Sequence, residues 1–77
     1  MLEIFSNALR DQNYYICLYS NHIYIYNYLE IITFTNELII IKLAQYNLII
    51  KGSNMHIKKM ENSELLVSGI IKEISYE

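Results

Sequence analysis

The residues of this 77-residue chain that could do chemistry are few and scattered. Its soft metal ligands are His22, His56 and Cys17, and none of them has the paired spacing that structural zinc sites use. The only aspartate is Asp11, so a Ser-His-Asp arrangement would have to recruit a glutamate instead. We therefore expect no catalytic residues, no metal site and no cofactor. Both histidines are predicted at solvent-facing strand positions, with Cys17 packing as a small apolar residue.

Three lysines suggest a different chemistry. Lys51, Lys58 and Lys59 surround a Gly-Ser-Asn segment, and together with tyrosines they could form a basic platform that stacks single-stranded bases. However, the formal net charge is −2, and exposed strands commonly carry lysines to suppress edge pairing. We expect no nucleic-acid partner, and we keep a small β-sheet nucleic-acid-binding domain as the alternative reading.

Tyr24, Tyr26 and Tyr28 alternate with other residues and are predicted to form a stripe on one strand face. Tyrosine is enriched where one end of a side chain is buried and the other is wet, so the stripe is a possible contact surface for a protein partner. Ordinary cross-strand packing explains the same pattern equally well.

Composition favours a single all-β domain over residues 1–77. The chain is 53% hydrophobic and 18% charged, which is too apolar for a disordered segment. It contains 15 isoleucines and 8 tyrosines, both of which fit a pleated, half-buried surface. Its single cysteine cannot form an internal disulfide framework, the first residues lack the pattern of a secretory signal, and no apolar run is long enough to cross a bilayer. A cytoplasmic location is expected.

The period of the apolar pattern predicts the elements. Residues 1–13 suggest a short N-terminal helical turn, whereas residues 14–77 alternate at a period of two. About six to seven short strands are expected, arranged as a small curved antiparallel meander or sandwich-like roll; a β-solenoid-like coil is the alternative. The residues predicted to face inward are Ile23, Ile25, Ile39, Ile41, Leu43, Leu48, Ile50, Met55 and Ile57.

Three residues are expected to shape the backbone. Gly52 and Asn54 tolerate positive φ and predict the strongest turn in the chain. Gly69 interrupts the last apolar run, where a glycine commonly marks a bulge or a sharp bend.

From about Tyr19 to Glu77 the chain resembles the YabP/YqfC family of bacterial sporulation proteins. The most recognisable segment is Leu48-x-Ile50-Lys51-Gly52-x-Asn54-Met55, an alternating strand that ends in a basic residue, glycine and asparagine. The other resembling positions are Thr33–Glu37, Ile39, Ile41, Glu64–Ile71 and Tyr76.

The resemblance implies a small non-enzymatic protein of the mother cell that acts in spore envelope or coat assembly. Members are commonly encoded beside a sporulation membrane protein, which implies a protein partner that could hold the chain near a membrane. Separately, a domain this short has little net stability, and the sequence has no proline to block strand pairing. We therefore expect a homo-oligomer, or strand addition to a partner, through a sheet edge or the tyrosine face.

Overall fold

The computed structural model describes residues 14–77, which form one open sheet of six antiparallel strands. The all-β prediction is confirmed, and the antiparallel pairing excludes the solenoid-like coil. The predicted helical turn falls within residues 1–13, outside the described residues. The strands are β1 (Tyr15–Tyr19), β2 (His22–Tyr26), β3 (Glu30–Phe34), β4 (Leu38–Lys42), β5 (Asn47–Glu61) and β6 (Glu64–Tyr76).

The sheet is organised around the long β5–β6 hairpin. The spatial order is β1-β2-β6-β5-β4-β3, so the shorter strands flank the hairpin in pairs. β2 pairs with residues 64–68 of β6, whereas β4 pairs with residues 47–51 of β5. Each long strand is therefore an inner strand along part of its length and an edge strand along the rest.

This pairing divides the sheet into two halves. The tip half contains β1, β2, residues 56–61 of β5 and residues 64–68 of β6. The base half contains β3, β4, residues 47–53 of β5 and residues 70–76 of β6. Both halves contribute to one apolar core, so the curved sheet encloses its own interior.

Bulges separate the two halves. The register of β5 against β6 shifts between Ser53 and His56, opposite Gly69, and Asn54 has a φ of 52°. The strand nevertheless continues from Asn47 to Glu61 without reversing. The predicted turn at Gly52 and Asn54 is therefore wrong, because the extra residues are absorbed as a bulge inside one strand. Two predicted short strands are in fact one long strand.

The two glycines of the chain are required by close backbone approaches in this bend. A Cβ on Gly52 would lie 2.0 Å from the carbonyl oxygen of Ile70. Gly69 has a φ of 142°, and a Cβ there would lie 2.7 Å from the carbonyl oxygen of Asn54. Gly69, where a bulge or sharp bend was predicted, lies opposite the bulge, whose extra residue is on β5.

The core contains the aliphatic side chains of alternate strand positions. Its buried members are Ile23, Ile25, Ile39, Ile41, Leu43, Leu48, Ile50, Met55, Leu65 and Val67. The predicted inward face is therefore confirmed except at Ile57, which is 39% exposed. Ile57 lies in the part of β5 that β4 does not reach, so no neighbouring strand covers it on that side. Within residues 14–77 the chain has no helix that could span a bilayer.

Replacing either glycine is expected to destabilise the fold. Gly52→Ala and Gly69→Ala each force backbone to move away from the new methyl group, and we expect a loss of about 2–4 kcal/mol in the free energy of unfolding. Urea unfolding monitored by circular dichroism measures this loss. Ser53→Ala is the matched control beside the bulge, where Ser53 pairs with Ile70, and should change the value by less than about 0.5 kcal/mol. Equal effects of all three substitutions would contradict the role of the glycines.

Candidate interaction surface

The outer face of the tip half carries the predicted tyrosine surface. Ile23 and Ile25 of β2 are fully buried. Tyr24 and Tyr26 alternate with them along the strand, so the two tyrosines point to the opposite face. Tyr24 pairs with Cys17 of β1 on one side and with Leu66 of β6 on the other. The sheet therefore presents the tyrosines beside residues from two other strands.

Beside Tyr24 the outer face has a small depression. It has a volume of about 140 Å³ and is lined by Tyr24, Lys59, Glu61, Glu64 and Leu66. The Tyr24 hydroxyl donates a hydrogen bond to Oε1 of Glu64, and Lys59 Nζ lies 3.5 Å from Oε1 of Glu61. Because small-molecule sites usually measure roughly 300–1,000 Å³, this depression fits a side chain of a protein partner better than a metabolite.

The stripe ends at Tyr26, because Asn27 has a φ of 63° and breaks the alternation of β2. Tyr28 instead packs against the apolar core. The prediction of a stripe that includes Tyr28 is therefore wrong, and the outer surface contains Tyr24 and Tyr26. The signal in the sequence was Asn27, since asparagine is among the few residues that readily adopt positive φ.

The two histidines lie on the same outer face and flank Ser68 of β6. Nδ1 of His22 lies 2.9 Å from the Ser20 carbonyl oxygen, and its Nε2 lies 3.4 Å from Nζ of Lys58. His56 is exposed, with Nδ1 3.3 Å from the Asn54 carbonyl oxygen.

No group of three or more His, Cys, Asp or Glu side chains within residues 14–77 is arranged to hold a metal ion. Cys17 is half-buried beside Tyr24 and far along the sheet from His56, which β2 and β6 separate from β1. The three soft ligands of the sequence therefore lie on three different strands.

The three lysines do not form the basic platform that their sequence positions suggest. Lys51 lies in the base half, where its Nζ is 3.7 Å from Oε2 of Glu73, whereas Lys58 and Lys59 lie in the tip half. Lys59 approaches Glu61, and Lys58 approaches the ring of His22. Lys51 and Lys59 therefore each form an exposed ion pair with a glutamate and do not converge on one platform.

A second group of tyrosines was missed by the sequence analysis. The rings of Tyr46 and Tyr76 lie 5.5 Å apart in the base half, near Tyr14. Burial raises the pKa of the Tyr14 hydroxyl, and the neighbouring Tyr76 and Tyr46 raise it further. These residues come from three distant segments, so no local pattern could have brought them together.

The fold and its outer face define a small open-sheet β domain. The family model for the YabP family matches residues 13–77, and the chain belongs to this family. No curated protein and no solved structure matches the chain significantly. The resemblance found in the sequence is thus confirmed at the level of the family.

The hydrogen bond between Tyr24 and Glu64 is expected to contribute measurably to stability. Tyr24→Phe removes the donor and leaves a half-buried carboxylate with one partner fewer, so the free energy of unfolding should fall by about 0.5–2 kcal/mol. Urea unfolding at neutral pH measures the change. Tyr19→Phe is the control on the same face, because the Tyr19 ring keeps its stacking on His22 at 5.4 Å. A larger loss for the control would contradict the interpretation.

Proposed function

We propose that this chain is a non-enzymatic sporulation protein that acts as a structural or adaptor component in spore envelope or coat assembly. The observation that carries the proposal is membership of the YabP family over residues 13–77. The family resemblance brings a role in endospore formation and brings no enzymatic activity. The proposed location is the cytoplasm of the mother cell, with a protein partner holding the chain near a membrane.

The geometry of the outer face supports an adaptor role. Tyr24 and Lys59 line the depression, and both are already engaged with neighbouring glutamates instead of converging on an empty centre. Tyr26 is 40% exposed next to them. Tyrosines beside a small depression lined by both charged and apolar side chains are typical of protein contact surfaces, where an aromatic ring is covered and its hydroxyl stays wet.

Self-association is part of the proposal. Domains of this size bury only roughly 60% of the surface that their unfolded chains expose, so covering further apolar area would stabilise the domain. Leu18, Leu29 and Ile70 are about half exposed or more, and they lie on different parts of the molecule. An assembly component has a use for several such contacts, because a layer requires each subunit to meet more than one neighbour.

Localisation in the sporulating host tests the proposed role. A fluorescently tagged chain should concentrate at the developing spore, and Tyr26→Ser should disperse it by removing an aromatic contact from the outer face. Tyr46→Ser is the matched control, since Tyr46 is 47% exposed but lies in the connection between β4 and β5, outside the tip half. Signal that stays uniform in the mother cell for the unsubstituted chain would contradict the proposed role.

The alternative of a nucleic-acid-binding domain is separated by a salt-dependent gel shift. Stacking of single-stranded bases would use the tyrosines with Lys58 and Lys59, and would weaken steeply as salt rises. Because the chain carries a net charge of −2 and Lys59 is paired with Glu61, we expect no retardation of a single-stranded oligonucleotide at physiological ionic strength. Retardation that disappears at high salt would favour the alternative.

A further inference from the structure

The open sheet has four stretches of strand whose outer side pairs with nothing else within residues 14–77. Three of them carry charged side chains. Glu30 lies on β3, Lys58, Lys59 and Glu61 lie on residues 56–61 of β5, and Lys72 and Glu73 lie on residues 70–76 of β6. The fourth is β1, Tyr15–Tyr19, which has no charged residue and no proline. Charges and prolines are the usual protection of a sheet edge, so β1 is the unprotected one.

Two large side chains at the end of β1 are also exposed. Leu18 is 58% exposed and Tyr19 is 51% exposed. Leu18 pairs with the fully buried Ile23, so it belongs to the core-facing side of the sheet at a place where the core ends. A further strand beside β1 would extend that side and cover Leu18.

The hydrogen-bonding direction of β1 follows from its turn. Ser20 and Asn21 have φ values of 31° and 65°, which define a type I′ two-residue hairpin and make Tyr19 and His22 a hydrogen-bonded pair. The bond from Gly69 N–H to the Asn21 carbonyl confirms this alternation, because it turns the backbone groups of His22 away from β6. Counting back from Tyr19, the N–H and C=O groups of Leu18 and Ile16 point away from β2.

We propose that β1 pairs antiparallel with β1 of a second copy across a two-fold axis at Cys17. In this register Ile16 meets Leu18 of the second copy through the outward backbone groups, Tyr15 meets Tyr19, and Cys17 meets Cys17. It is the register that pairs all five residues of the strand. The two six-stranded sheets become one continuous sheet.

Charge explains why the occupant is a copy of the same chain. At a two-fold axis a residue faces itself, so a charged residue there would meet a like charge, which is destabilising across strands. Lys58 and Lys59 would oppose such pairing on β5, whereas the residue on the β1 axis is an uncharged thiol. Pairing also places Leu18 beside the half-buried Ile16 of the second copy on the core-facing side.

The β1–β1 dimer is a specific form of the self-association in the proposed function, and it rests on the proposed function only in this respect. Its test uses purified protein outside the cell, so it can fail while the localisation result stands, and the reverse also holds. The two outcomes are therefore distinguishable.

Cysteine cross-linking tests the register. The paired Cys17 residues form a non-hydrogen-bonded pair with Cα atoms about 4.5 Å apart, within the range of roughly 4.4–6.8 Å that a disulfide spans. Mild oxidation with copper phenanthroline and oxygen, which takes two electrons and two protons from the two thiols, should convert most of the protein to a disulfide-linked dimer. Cys17 is the only cysteine of the chain, so no other thiol contributes.

A displaced cysteine is the control for random collision. In Cys17→Ser/Tyr19→Cys the new thiols lie two residues beyond the axis in each copy, about 14 Å apart, and should not cross-link. Position 19 is 51% exposed, so collisions alone would link it readily. Equal cross-linking of the two proteins would overturn the register.

Charging the edge tests the interface itself. Leu18→Lys should raise the dimer dissociation constant at least tenfold in sedimentation velocity, because pairing would have to bury an ammonium group beside an isoleucine. Leu29→Lys makes the same change at a residue 61% exposed in the connection between β2 and β3, and should leave the dimer intact. A monomer at all concentrations up to about 100 μM, or equal effects of the two substitutions, would overturn the proposal.

Discussion

The bend in the β5–β6 hairpin is the constraint on which the rest of the molecule depends. Gly52 and Gly69 let two backbones approach to distances that no side chain permits, and Asn54 supplies the positive φ of the bulge between them. Because the hairpin bends instead of ending, β6 pairs with β2 in one half and β5 pairs with β4 in the other. One small set of aliphatic side chains can then be enclosed from both sides without a second sheet or a helix in the described chain.

The bend also determines which surfaces are left over. Strand alternation commits Ile23 and Ile25 to the interior, so Tyr24 and the half-exposed Tyr26 remain outside. The engagement of Tyr24 with Glu64 ties the outer face to the strand that follows the bend. The contact surface and the core are therefore opposite faces of the same paired strands, so a change in strand pairing would alter both.

The sequence predicted the fold class and the buried core residues other than Leu65 and Val67, because a period of two is a property of single strands and needs no knowledge of their partners. The sequence prediction failed where the structure depends on which strands pair with each other. Gly52 and Asn54 are as typical of a turn as of a bulge, and only the pairing of β5 on both sides distinguishes the two. Ile57 has the right period but lies where no strand covers it. Tyr28 is not part of the stripe, because the positive φ of Asn27 breaks the alternation and Tyr28 packs against the core. Asparagine favours positive φ, but its presence in the sequence does not by itself predict that conformation.

The strand order has a consequence for synthesis on the ribosome. β2 lies beside β6, so the hydrogen bond between Tyr24 and Glu64 cannot form until Glu64 has been synthesised, forty residues later. Until then the β1–β2 hairpin has two open sides instead of one, and an isolated two-stranded hairpin is marginally stable at best in water. Nascent chains emerging together from one messenger would expose these uncharged strands to each other, which makes the interval before β6 appears the period of greatest risk of aggregation.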